Sequence, residues 1–173
     1  MGIDGSDDML REVQRTLPQS FARLSVMSTL GIDPPGGCHY PLAGWAQFPR
    51  LIGPLVERDV YGVAADRSIT APDLRRAQFA AAVHDRIVLE FDQPVVWDSK
   101  LASQFYLGGR GDQVVEGTAS GNTLTLRLAA PATALSITYL DSRHWQAGNV
   151  LRGANGIAAL TFCRVPIVAA AQR

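Results

Sequence analysis

The chain has 173 residues, 47% of them hydrophobic, and its sixteen basic side chains are balanced by sixteen acidic ones. This length suits one domain, or a small domain joined to a fragment of another, and the hydrophobic share is enough to fill a core and excludes a disordered chain. Zero net charge removes any broad electrostatic case for nucleic acid or an anionic membrane, and no apolar run approaches the roughly 20 residues a bilayer span needs.

The opening MGIDGSDDML is acidic and has no basic stretch leading into an apolar one, so it does not read as a signal peptide. Residues 7–17 predict a helix. Asp7 and Asp8 suit its positive end, Met9, Leu10, Val13 and Leu17 form an apolar stripe, and Pro18 ends it. Phe21 to Thr29 predicts a short buried strand centred on Val26 and Met27. The loop Pro34-Pro35-Gly36-Gly37-Cys38-His39-Tyr40 follows. Leu42, Trp45, Phe48, Ile52, Leu55 and Val56 then recur at helical spacing, with Gly62 as a stop. Pro49 and Pro54 each cost a helix interior about 3 kcal/mol, which predicts a kink or two short helices. A helix, strand and helix in this order belong to a parallel sheet covered by helices. One such unit cannot make a sheet, so residues 1–62 are expected to lean on something else. If Leu24 to Met27 is exposed or pairs with another chain, the segment is a fragment; if the rest of the chain folds around it, it belongs to a self-contained module.

The pattern changes beyond residue 64, and the domain boundary is expected between 62 and 70. Ile87, Leu89 and Phe91 alternate with other positions, as do Phe105 with Leu107, Leu124 with Leu126 and Leu128, and Leu135 with Ile137 and Tyr139. Val115 sits in a short run, and Leu160 with Phe162 closes the series. Asp92-Gln93-Pro94, Gly108 to Asp112, Ser120-Gly121-Asn122 and the pair Gly153 and Gly156 supply the turns. Short alternating runs at this spacing predict an antiparallel β-sandwich over 66–170. The fold class expected is therefore α+β, a short α/β remnant followed by the sandwich.

His39 is the leading candidate for chemistry. An imidazole titrates near neutrality, which suits a general base taking a proton from a hydroxyl nucleophile. Such a base needs a third group to orient it, and Asp33 is the nearest carboxylate, although Asp33 could equally just initiate the turn at Pro34. Cys38 and His39 are adjacent and point apart on extended chain, so they make a poor nucleophilic pair. Cys163, in an apolar strand, reads as core. The two cysteines define neither a disulfide framework nor a compartment. His84 and His144 sit beside turns. His144 and Trp145, preceded by Asp141, Ser142 and Arg143, could form a sugar-binding platform or simply a strand-end loop whose tryptophan packs inward. Trp45 and Trp97 read as core. Arg110-Gly111-Asp112 spells an adhesion tripeptide inside a glycine-rich turn. Gly108 to Gly111 lacks the spacing and lysine of a phosphate loop, and no zinc or calcium ligand set is apparent, so no cofactor is expected.

Five blocks between Leu10 and Gly62 carry a resemblance. They are Arg11-Glu12-Val13-Gln14-Arg15, Met27-Ser28-Thr29, Cys38-His39-Tyr40-Pro41-Leu42-Ala43-Gly44-Trp45, Leu55-Val56-Glu57-Arg58 and Tyr61-Gly62. Together they resemble the last part of an SGNH-type esterase domain of the sialate O-acetylesterase kind. Ile87 to Trp97 and Arg152-Gly153-Ala154-Asn155-Gly156-Ile157-Ala158-Ala159-Leu160 resemble the β-sandwich appended in larger members. The resemblance implies a serine-type carbohydrate esterase with acetylated carbohydrate as its substrate, His39 as its general base, and a secreted or periplasmic full-length parent. Two departures bear on this. The family has an aspartate three residues before the histidine, where this chain has Gly36, leaving Asp33 six residues back. The serine nucleophile and the glycine and asparagine of the oxyanion hole have no counterpart, and losing one oxyanion donor costs roughly 100- to 1,000-fold in rate. The chain alone is therefore expected to be inactive, and its incomplete α/β part leaves self-association open. The alternative is a non-catalytic β-sandwich module that binds carbohydrate or a protein partner.

Overall fold

A computed structural model describes residues 7–32, 42–142, 144 and 148–169. Helix content and strand content are both present, the helices before residue 62 and the strands after residue 73. The helices are α1 (Asp7–Thr16) and α2 (Leu42–Tyr61). The strands are β1 (Leu74–Phe79), β2 (Arg86–Phe91), β3 (Val95–Val96), β4 (Phe105–Leu107), β5 (Val114–Ser120), β6 (Thr123–Leu128), β7 (Ser136–Tyr139), β8 (Arg152–Gly153) and β9 (Phe162–Val168).

Seven strands join one hydrogen-bonded order, β4-β7-β9-β1-β2-β6-β5, and β3 pairs separately with β8. A 3-10 segment (Ser99–Gln104), capped by the Asp98 side chain on the Lys100 N–H at 2.8 Å, packs against β5 and leads into β4. The two ends of the sheet are thus brought near each other, and the large sheet nearly closes. The alternating runs predict two facing sheets; the hydrogen bonding instead links seven strands in one order. One pairing is parallel, with Ala77 of β1 opposite Ile167 of β9, so the first and last long strands lie side by side.

The alternation seen in the sequence places the core. Ile87, Leu89, Phe91, Leu124, Leu126 and Leu128 are all buried, and cross-strand partners such as Ile87 with Leu126 and Leu89 with Leu124 face each other across β2 and β6. Phe105, Tyr139 and Phe162 stack inside, with ring centroids 5.1 to 6.4 Å apart. The Tyr139 hydroxyl, fully buried, accepts the Leu151 N–H at 2.5 Å. Leu135 departs from the expected alternation: it precedes β7 and is 71% exposed.

Strand β1 is not apparent in the sequence, and its geometry shows why. A register irregularity between Leu74 and Arg76 puts Arg75 and Arg76 on the outside in succession, which breaks the two-residue period a strand is read from.

The N-terminal part differs more. The apolar stripe of α1 faces outward, with Met9, Leu10 and Val13 all exposed, while Asp8 and Arg15 are buried. The reason lies in β9. The register shifts where β9 pairs with β7 between Ile137 and Tyr139, and the Cys163 and Arg164 N–H groups find side-chain acceptors there. Glu12 accepts from Cys163 at 3.0 Å and the Thr138 hydroxyl accepts from Arg164 at 2.9 Å. Buried N–H groups need acceptors, and a carboxylate on the inner side of α1 provides one. Asp8 likewise accepts the Ser142 N–H at 3.2 Å.

The strand expected at Phe21–Thr29 does not form; the segment is irregular, with Arg23 at φ 62°. Phe21 and Leu24 are exposed, and Val26 and Met27 are half-buried. Helix α2 runs unbroken through Pro49 and Pro54 as one twenty-residue element.

Candidate functional site

His39, Asp33 and Cys38 lie outside the described residues; the stem that leads to them is within. Ser28 donates to the Ala159 carbonyl at 3.3 Å and also receives the Leu30 N–H at 3.4 Å. Arg152 donates through Nη2 to the Gly31 carbonyl at 3.4 Å and through Nη1 to the Gly156 carbonyl at 2.9 Å. Gly31 has φ +73°, a backbone conformation that favours glycine, and a side chain there would also displace the end of Arg152. Ile32, the last residue before the loop, is buried. The β region therefore holds the irregular segment that leads towards residue 33 through residues 151–159, more than 120 positions away in sequence. On the other side, α2 begins at Leu42, and near its end Arg58 and Asp59 both bond to Ser25, Asp59 accepting at 2.8 Å.

The other candidates are dispersed. His84 is a turn residue with φ 57°, stacked on Phe79 at 3.8 Å between centroids, and its carbonyl accepts the Ala132 N–H. His144 is exposed, with Nδ1 3.2 Å from Asp141 Oδ1 and its ring 6.1 Å from that of Tyr106. Burial, with Asp141 as the lesser cause, raises the Tyr106 phenol above its ordinary pKa, so it is a neutral hydroxyl at physiological pH. His144 and the partly exposed Asp141 could hydrogen-bond a polar ligand, with the Tyr106 ring buried beneath them; Arg143 and Trp145, named with His144 from the sequence, lie outside the described residues. Trp45 is half exposed instead of core, while Trp97 packs over Gly117 and 6.1 Å from Phe105. Arg110 and Asp112 are exposed and 4.0 Å apart.

A depression of about 240 Å³ lies on the sheet, lined by Arg86, Glu116, Gly117, Thr118, Thr125 and Arg127. It is smaller than the ~300–1,000 Å³ of usual small-molecule sites, and its Arg127 and Glu116 pair with each other at 2.9 Å. Among the described residues no group of three or more His, Cys, Asp or Glu side chains could hold a metal ion, and no helix is long and apolar enough to cross a membrane.

Sequence reasoning overlooked the polar inner side of α1. Arg15 donates to Asp73 at 2.7 Å, to the Leu74 carbonyl at 2.9 Å and to both oxygens of Glu12. Asp73 also meets Arg75 at 3.1 Å, and Arg75 reaches on to Asp92 at 3.1 Å. Burial pushes the Asp73 carboxyl up, against the pull of Arg15. The spacing of Asp8, Glu12 and Arg15 at helical intervals was the available signal.

Neither protein-family models nor curated proteins match this chain. A solved structure does, over 76% of this chain, at 16% identity and a TM-score of 0.54. It is described as a novel carbohydrate acetylesterase from Xanthomonas citri. This chain is similar in fold to a part of it. The chain spans about 30% of that structure's chain. The aligned share is larger than the β region alone can supply, so the likeness reaches into the residues before it.

Proposed function

We propose that this chain is the C-terminal portion of a serine-type carbohydrate O-acetylesterase, of the SGNH sialate-esterase kind, with residues 1–62 the end of the esterase domain and the β region its appendage. The observation that carries the reading is the fold likeness to a carbohydrate acetylesterase extending beyond the β region. Two structural features support it. Leu24 and Ser25 are exposed and Val26 and Met27 half-buried, so the Leu24–Met27 segment is only partly covered by its own chain. Arg152 and Ala159 hold the stem of the histidine loop, which gives the β region a bracing role.

In this reading His39 takes the proton from a serine hydroxyl as its oxygen attacks the acetyl carbonyl, then returns it to the departing sugar oxygen, and water later releases acetate by the same route. Asp33 orients the imidazole. The serine and oxyanion donors come from polypeptide beyond this chain. The 173-residue chain alone therefore turns over no aryl acetate, and turnover that disappears in His39→Ala would overturn that. A longer polypeptide carrying the α/β part deacetylates a sugar acetate and loses that activity in His39→Ala; retention of full activity would sink the assignment.

A non-catalytic reading is favoured by one observation, the exposed His144 beside the half-buried Asp141 and the buried Tyr106 ring. It predicts saccharide binding by the chain alone that is lost in His144→Ala and kept in His39→Ala.

A further inference from the structure

The outward face of the sheet carries an uneven charge. Arg86 of β2 stands directly opposite Arg127 of β6 in the strand register. Both side chains are exposed, because Ile87, Leu126 and Leu128 beside them turn to the core. Like charges directly opposite one another across a strand pair are destabilising. On the far side of Arg127 lies Glu116 of β5, which accepts from the Arg127 Nε at 2.9 Å. On the far side of Arg86 the chain offers Ala80, whose N–H bonds to the Arg86 carbonyl at 3.0 Å. The row therefore holds two cations and one carboxylate. Among the described residues the Arg86 guanidinium has no ion pair and no hydrogen-bond partner. Along β2 the next acidic residue is Glu90, about 13 Å away at strand spacing and 3.5 Å from the Gln78 amide.

The adjacent row supplies hydroxyls. Thr125 of β6 lies opposite Thr118 of β5, and among the described residues neither side chain has a hydrogen-bond partner. These groups line the depression of about 240 Å³ on the sheet. A water molecule's share of liquid volume is ~30 Å³, so the depression suits a ligand of several heavy atoms and not a long chain. A guanidinium presents a planar fork of N–H donors that matches two oxygens of a carboxylate or phosphate. Threonine hydroxyls both donate and accept, which matches a ligand carrying hydroxyls of its own.

We propose that this depression binds a small hydroxylated oxyanion, a carboxylate or a phosphate monoester, with Arg86 as its main charge partner. Arg127 is the second cation, and Thr118 and Thr125 meet the hydroxyls of the ligand. An oxyanion between the two guanidinium groups turns their repulsion into two attractions. Glu116 holds Arg127 in place and limits the excess to a single positive charge, which fits one oxyanion group. The site shares no residue with the His39 loop or with the contacts to Ser28 and Gly31, so it stands apart from the esterase reading.

The test titrates the 173-residue chain with glycerate, glycerol 3-phosphate and glycerol at low ionic strength, following backbone amide shifts by NMR. Saturable shifts are expected at Arg86, Thr118, Thr125 and Arg127 with at least one of the two anions, and none with neutral glycerol. The anion that binds more tightly tells a carboxylate ligand from a phosphate one. Arg86→Gln weakens binding by roughly tenfold or more, the loss of a charged hydrogen-bond partner. Arg110→Gln, an exposed cation outside the depression, leaves it unchanged. The melting temperature of Arg86→Gln is equal to or above that of the parent chain, because the repulsion with Arg127 is relieved. Thr118→Val with Thr125→Val lowers the affinity for glycerate and leaves that for acetate as it was. Shifts that fail to saturate, equal binding of glycerol, or binding indifferent to Arg86→Gln overturns the proposal. A lower melting temperature in Arg86→Gln would show that the side chain has a structural partner, and overturns it too. Equal loss of glycerate and acetate in the threonine variant removes the hydroxyl contacts, and with them the assignment of a hydroxylated ligand.

Discussion

Arg15 on the first helix holds Asp73, fifty-eight residues later, with a 2.7 Å bond between two side chains that are only 7% and 10% exposed. The same guanidinium covers the Leu74 carbonyl and Glu12, so one residue ties α1 to the entry of β1. Removing one member of a buried pair leaves the other charged and desolvated. Arg15→Ala is therefore expected to cost about 3 kcal/mol in urea unfolding. Val13→Asp, on the outward side of the same helix, should stay within about 0.5 kcal/mol in the isolated chain. The reverse order of costs would mean that α1 packs by its apolar stripe.

Tyr139 offers a second test. Its hydroxyl accepts the buried Leu151 N–H, and Tyr139→Phe orphans that donor, at a cost of about 1–3 kcal/mol by chemical denaturation. Burial raises the phenol well above its ordinary 10.0, outweighing the Leu151 hydrogen bond and nearby Arg152, so the folded state favours the neutral form. That preference is fully present below pH 10.0 and is lost as the pH rises above it, where the unfolded chain releases the proton and the folded chain does not. Stability measured from pH 9 to 11 should fall less steeply in Tyr139→Phe than in the parent chain.

Cys163 is buried, and burial pushes its thiol up, opposed by a hydrogen bond from Thr138 and reinforced by Asp8. Since the thiolate is the nucleophile, native Cys163 should react with iodoacetamide at least tenfold more slowly at pH 8 than in urea, measured in a Cys38→Ser background. Rapid native labelling would place the thiol at the surface.

Gly31 and Arg152 form the last pair. Gly31→Ala puts a side chain on a left-handed residue and against the guanidinium, an expected loss of about 1–2 kcal/mol. Adding Arg152→Ala to Gly31→Ala should cost less than Arg152→Ala costs in the parent chain, because the collision is already relieved. Strict additivity in the double-mutant cycle would mean the two residues do not meet.

Much of the β region was legible in the residues. Leu124, Leu126 and Leu128 announce a strand with one face buried, because the side-chain period of a strand is two and only one face of β6 meets the core. Gly121 and Asn122 announce the turn that joins β5 to β6, since a two-residue hairpin needs a residue tolerant of positive φ. β1 stayed hidden because its irregularity breaks that period, and Leu135 misled because a local pattern does not say where a strand starts.

The candidate site divides in the same way. The residues alone put His39 in a Gly/Pro-rich stretch ahead of a helical pattern of mixed apolar character, with no serine motif beside it; these are properties of neighbouring residues. Contacts between distant residues were needed to show that Arg152 and Ala159 hold Gly31 and Ser28, and that α1 turns its carboxylates inward and its apolar stripe out. The physical reason is that the Cys163 N–H needs a side-chain acceptor because β9 meets β7 out of register, a pairing between distant strands that no local pattern contains. A helix pattern shows which residues share a face, and what lies opposite decides which face is buried.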